Sequence, residues 1–105
     1  MPKHEAKYQV GQIIYHQMFR YLGVVYNVDA VFSASDEWYD QVARSRPLKD
    51  KPWYHVLVHE AQHTTYVAEQ NLKAAKIPKP ILHPLTDHYF SRFDTEFYIP
   101  RQRPN

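Results

Sequence analysis

Cysteine is absent from the 105 residues, so neither a disulfide nor a thiolate metal site can hold this chain together, a composition compatible with a reducing compartment. Glycine is nearly absent too, with only Gly11 and Gly23. Two isolated glycines cannot build a phosphate-cradling loop or a dinucleotide fingerprint, and there is no cysteine nucleophile or G-x-S-x-G elbow. The expectation is a protein that is not an enzyme and carries no cofactor. A turn or bulge and a close approach of neighbouring strands are the uses that remain for the two glycines. No apolar run approaches the length that crosses a bilayer, and the first ten residues lack the apolar stretch of a secretion signal. A soluble, cytoplasmic chain without a membrane partner is therefore expected. An excess of charge is missing as well: thirteen basic residues against eleven acidic ones leave a net +2, a weak footprint for gripping a polyanion.

The distribution of charge says more than its sum. Asp29, Asp36, Glu37 and Asp40 make an acidic stretch, Arg44, Arg46, Lys49 and Lys51 a basic one immediately after it, and Lys73, Lys76 and Lys79 a second basic group. Charge runs of this kind ordinarily keep a surface wet. The first basic stretch differs in leading straight into aromatic residues, Trp53 and Tyr54, followed by His55. Tyr15, Tyr21, Tyr39 or Trp53 beside Arg44 to Lys51 would suit base stacking with phosphate contact, a protein interface, or plain burial.

Most of the chain reads as strand. From Tyr21 to Val28 apolar residues alternate, with Leu22, Val24, Tyr26 and Val28 on one face, which predicts a strand buried mainly on one side. Lys7 to His16 reads as its antiparallel neighbour, joined through Gln17 to Arg20. Tyr54, Val56 and Val58 repeat the alternation, and Thr64 to Ala68 is β-branched and aromatic. Between them, Ser35 can cap a short helix carrying Asp36 and Glu37 in its first turn, with Trp38 and Val42 on one side. Pro47 and Pro52 end any helix and feed the third strand. A mainly β, small SH3-like open barrel over residues 1–76 is predicted, with a single three- or four-stranded sheet as the alternative. Residues 77–105 read as a Pro-rich aromatic tail docked on it, in which Phe90, Phe93 and Phe97 fall at helical spacing.

His59-Glu60-Ala61-Gln62-His63 matches HExxH, in which two histidines one helical turn apart bind zinc and the glutamate polarises water. That motif needs a helix, yet its flanks are strand-like, Tyr66 stands where the extended pattern has glycine, and no third ligand follows. A hairpin turn is the expected setting, with a zinc-dependent hydrolase through His59, Glu60 and His63 as the alternative. His55 and His59 share one side of a strand, where a hydrogen bond to backbone or carboxylate is the ordinary role and metal binding the other. His16 could join the same polar patch.

Three motifs stand in order: Gly11-Gln12-Ile13-Ile14-Tyr15-His16, Tyr21-Leu22-Gly23-Val24-Val25, and Arg46-Pro47-Leu48-Lys49-Asp50-Lys51-Pro52-Trp53-Tyr54-His55. Together they resemble the YccV-like family, over roughly Tyr8 to Leu72. The resemblance implies an SH3-like barrel, binding of hemimethylated DNA, and a heat-shock role in promoting degradation of particular client proteins, including the replication initiator DnaA, by the Lon protease. It also implies a homo-oligomer. The contact residues expected for DNA or a protein partner are Arg44, Arg46, Lys49, Lys51, Trp53, Tyr54 and His55, with no catalytic and no metal-ligating residue.

Overall fold

The structure, a computed structural model, describes residues 5–43 and 45–101. Five antiparallel strands form one sheet: β1 (Ile13–His16), β2 (Leu22–Asp29), β3 (Trp53–Val58), β4 (Thr64–Ala68) and β5 (Leu72–Ala74), in the order β4-β3-β2-β1-β5. A 3₁₀ turn, Glu69–Asn71, joins β4 to β5 although these are the two edges of the sheet. The four Cα steps from Ala68 to Leu72 reach at most ~14 Å, whereas four interstrand spacings would hold the edges of a flat sheet ~19 Å apart. The sheet therefore has to curl, and the result is the open barrel that the sequence predicts.

The strand facing β2 is shorter than its sequence suggests. Gln12 N–H closes a turn onto the Gln9 carbonyl, and Gly11 adopts a φ of 94°, so the extended backbone begins only at Ile13. The register of β2 against β3 slips between Val25 and Asn27, a bulge that bends the strand. The helix forms as its capping residue predicts: Ser35 Oγ accepts the Trp38 N–H at 3.1 Å at the head of α1 (Asp36–Val42). Its buried face is Tyr39 and Ala43, however, while Val42 points to solvent and Trp38 is half-buried. A helix face repeats at three and four residues, and the seat on Trp53 selected the row one position along.

Burial of the central strands is two-sided, which corrects the one-sided reading. Ile14, Val25, Tyr54, Val56, Val67 and Leu72 fill the concave side, and Ile13, Val24 and Leu57 are equally buried on the convex side. The cover on the convex side comes from the C-terminal segment, through Ile81, Phe90 and Tyr98. The helix expected over the three phenylalanines is one turn, α2 (Thr86–Tyr89), and then the chain turns into a hairpin, β6 (Phe90–Asp94) and β7 (Phe97–Pro100). Phe90 is buried, Phe93 half-buried and Phe97 exposed, because strand alternation, shifted by a bulge between Phe90 and Arg92, and not a 3.6-residue period sets their faces. Tyr98 pins the hairpin down: its N–H donates to the Gly11 carbonyl, and its hydroxyl accepts the Ile81 N–H, each at 2.8 Å.

The β1–β2 turn is built on His16. This buried imidazole accepts the N–H groups of Met18 and Phe19 at 3.2 and 3.1 Å on Nδ1, and stacks on Phe19 with ring centres 4.7 Å apart. Burial holds its pKa below the ordinary histidine value. Protonation would turn the acceptor nitrogen into a donor facing two donors. Because the folded-state pKa is depressed, the unfolded chain binds the extra proton first. Stability from this turn is complete above the unfolded value of about 6.5 and is lost as pH falls through the lower folded value. The wild-type melting temperature is therefore expected to drop more between pH 7 and pH 5 than that of His16→Asn, whose amide oxygen can accept without titrating. Parallel pH profiles would remove this role from His16.

Candidate nucleic-acid interface

The basic and aromatic residues of the segment after α1 separate sharply once folded. Trp53 is 1% exposed and Tyr54 fully buried, so neither presents a ring to a base. As neighbours in β3 they point to opposite faces. Trp53 packs under α1 with Tyr39, Ala43 and Ala68 and donates its indole N–H to the Leu48 carbonyl at 3.0 Å. Tyr54 lies in the barrel interior, donates its hydroxyl to the Glu69 carboxylate at 2.6 Å and accepts the Tyr8 N–H. Burial first, and then that carboxylate, pushes the Tyr54 hydroxyl far above the ordinary tyrosine range.

The cations of the same segment are turned back on the helix. Arg46, at a φ of 51°, bonds Asp40 at 2.8 Å, and its guanidinium lies over the Tyr39 ring. Lys49 bonds Asp36 at 3.0 Å, with its ammonium 4.3 Å from the centre of the same ring. The acidic and basic stretches that are adjacent in sequence thus largely cancel in space. Such exposed pairs contribute little to stability, but they remove net positive charge from this face. Lys51 is half-buried, and Arg44 lies outside the described residues.

His55, half-buried, opens onto a cavity that Trp53 also borders with almost none of its surface exposed. Its Nε2 sits 2.9 Å from Asp29 Oδ2, the oxygen that also accepts the Tyr66 hydroxyl at 2.7 Å. The His55 and Tyr66 rings are cross-strand partners with centres 4.5 Å apart. Burial alone would raise the Asp29 carboxyl, but the hydrogen bonds from Tyr66 and His55 and the charge of His55 outweigh it and hold the group below its usual value. Burial, and then donation to Asp29, pushes the Tyr66 hydroxyl up to about 12. Around this group runs a recess of about 360 Å³ whose walls include His16, Phe19, Tyr21, Trp38, His55 and Tyr66. Flat rings with a few hydrogen-bonding edges can stack on an aromatic ligand and sense an added methyl group. His16 and His55 do share this recess, as the sequence allowed. Asp29 and Tyr66 were not among the residues singled out for contact, because their meeting depends on the pairing register of β2, β3 and β4, which a bulge displaces.

The HExxH residues form the turn between β3 and β4 rather than a helix, with Glu60 at a φ of 61°. That rules out the one-turn spacing a zinc hydrolase needs from His59 and His63. His59 Nδ1 accepts the Leu82 N–H at 2.9 Å, and the His63 carbonyl lies 2.9 Å from His83 Nε2, so both residues tie the C-terminal segment to the barrel. Among the described residues, no three histidine, cysteine, aspartate or glutamate side chains gather as a metal ion would require. Among the same residues, no helix is long and apolar enough to cross a membrane.

Compared with known families, residues 6–97 match one described as hemimethylated DNA-binding protein YccV like. The match runs past the Leu72 boundary set by the three motifs, through β6 to the first residue of β7, so β6 belongs to the shared pattern while the rest of β7 lies beyond it. With a match over that much of its 105 residues, and with an open β-barrel as its fold, the chain belongs to the YccV-like family of hemimethylated DNA-binding proteins.

Proposed function

We propose that this protein is a non-enzymatic, cytoplasmic binding module of the HspQ heat-shock type that recognises hemimethylated DNA. The family match over residues 6–97 carries this reading. In it, the aromatic recess beside His55 and Tyr66 is the element that senses a base and its methyl group, by stacking and apolar contact. In this reading Trp53 and Tyr54 act from below by holding β3 and α1 in place. Affinity for one duplex is expected to be highest in the hemimethylated form compared with the fully methylated and unmethylated forms, and Tyr66→Phe or His55→Ala should narrow that difference. Equal affinity for all three forms would refute methyl-state readout.

A second reading is favoured by the rim of the same recess, where Met18 and Phe19 are 50% and 68% exposed and Val42 53%. Apolar side chains on a recess rim suit a protein contact. In this reading the module, acting as a homo-oligomer, presents specific or denatured clients such as DnaA to the Lon protease. A Phe19→Ser variant that left Lon-dependent turnover unchanged while altering DNA affinity would reject the adaptor role of this surface. A protein contact of this kind should also persist as salt rises, whereas phosphate contacts weaken steeply.

A further inference from the structure

Cations already paired with carboxylates add no net charge to a surface, so the unpaired ones locate where a polyanion would be held. Arg46, Lys49 and Arg92 are bonded to Asp40, Asp36 and Asp94. Arg101 donates its side-chain N–H to the Asp87 carbonyl. Lys7, Arg20, Lys73, Lys76 and Lys79 are exposed and have no side-chain carboxylate partner among the described residues, and of these only Lys73, Lys76 and Lys79 follow one another within seven residues of chain. Lys73 sits on β5, an edge of the sheet, with its ammonium 5.3 Å over the Tyr15 ring. Lys73 and Lys76 line one shallow recess together with Tyr15, Leu22 and Ile77, and Ile77 is 81% exposed. Glu96 borders a neighbouring cavity with Lys76 but forms no ion pair with it.

From this arrangement we infer that the β5 edge, Lys73, Lys76 and Lys79 beside Tyr15, is the surface that grips the phosphate backbone of duplex DNA. The inference rests on the DNA-binding reading and moves its electrostatic part away from the segment after α1. The spacing suits a duplex. Consecutive lysines three residues apart lie at most ~10 Å from one another, while one DNA strand presents a phosphate every ~3.4 Å of helix axis. Each lysine can therefore meet a phosphate of its own. Pro78 and Pro80 hold the backbone extended at Ile77 and Lys79, so less freedom is lost when the lysines engage. Arg46 and Lys49, by contrast, would first have to leave Asp40 and Asp36.

Lysines on an exposed edge strand also guard against strand pairing between molecules, and the experiment separates the two roles. The full chain, its triple variant Lys73→Gln/Lys76→Gln/Lys79→Gln, the charge-conserving triple arginine variant, and Arg46→Gln/Lys49→Gln are titrated with one duplex over a series of salt concentrations. Loss of three phosphate contacts should weaken binding about tenfold or more near 0.1 M salt and flatten the slope of log affinity against log salt by about 2 to 3. The arginine variant should keep the slope, and Arg46→Gln/Lys49→Gln should change it by less than about 1. An unchanged slope in the triple glutamine variant overturns the inference, as does self-association of that variant with unaltered DNA affinity. If the wild-type chain binds no duplex at all, the DNA reading itself fails, an outcome distinct from a misplaced phosphate surface.

Discussion

Trp53→Ala is expected to lower the stability of the fold by about 3–5 kcal/mol, the range for deleting a fully buried aromatic side chain. Trp53 is the floor on which α1 rests. Its ring centre lies 4.9 Å from that of Phe32, 5.1 Å from Tyr66 and 6.0 Å from Trp38, and its indole N–H satisfies the Leu48 carbonyl. Alanine would leave a cavity between β3 and α1 together with an unsatisfied carbonyl. Because Trp38 and Tyr66 also wall the recess, the loss of the ring should loosen the candidate contact surface along with the core. Thermal unfolding should show a fall of more than about 10 °C, and Trp53→Phe should recover part of it. A loss below about 1 kcal/mol would mean that α1 is seated by other contacts.

Gly11→Ala is expected to release the C-terminal hairpin. Gly11 has a φ of 94°, a region that costs a side-chain-bearing residue of order 1–3 kcal/mol. A methyl group there would also overlap the Tyr98 carbonyl, so the hairpin has to shift. Tyr98 cannot shift freely, since its N–H bonds the Gly11 carbonyl and its ring packs with Phe90 at 5.0 Å. The expected result is destabilisation of at least about 2 kcal/mol, with faster proteolysis after residue 76 while the strands of the barrel stay protected. Deletion of the segment beyond residue 76 should expose Ile13, Val24 and Leu57 and reduce solubility, since a contiguous apolar face is then open to water. Uniform protease resistance in Gly11→Ala would show that the contact can relax without cost.

The strands were legible because their signals are local. Alternation from Leu22 to Val28, the shortness of the link at residues 17–20, the Ser35 cap and the prolines before Trp53 each act within a few residues of chain. The HExxH turn was legible for the same reason, since its flanks favour extended backbone whatever its own letters suggest. The fate of the phenylalanines was not. A spacing of three and four residues between Phe90, Phe93 and Phe97 fits a helix. The hairpin wins because Phe90 and Tyr98 together cover the convex side of β1, β2 and β3, a surface that exists only after the barrel has formed.

Sequence alone determined that this is a small, mainly β chain without cysteine chemistry, with a YccV-like core and a basic segment running into aromatic residues. Those properties rest on composition and on neighbours in the chain. Only the tertiary structure decided which of those residues face outward. Register placed His55 against Tyr66 and Asp29, the seat of α1 buried Trp53, and the return of the helix carboxylates neutralised Arg46 and Lys49 while Lys73, Lys76 and Lys79 have no carboxylate partner among the described residues. Charges and rings act through distance in space, and a chain that curls its own edges together sets those distances by closure, which no window of sequence contains.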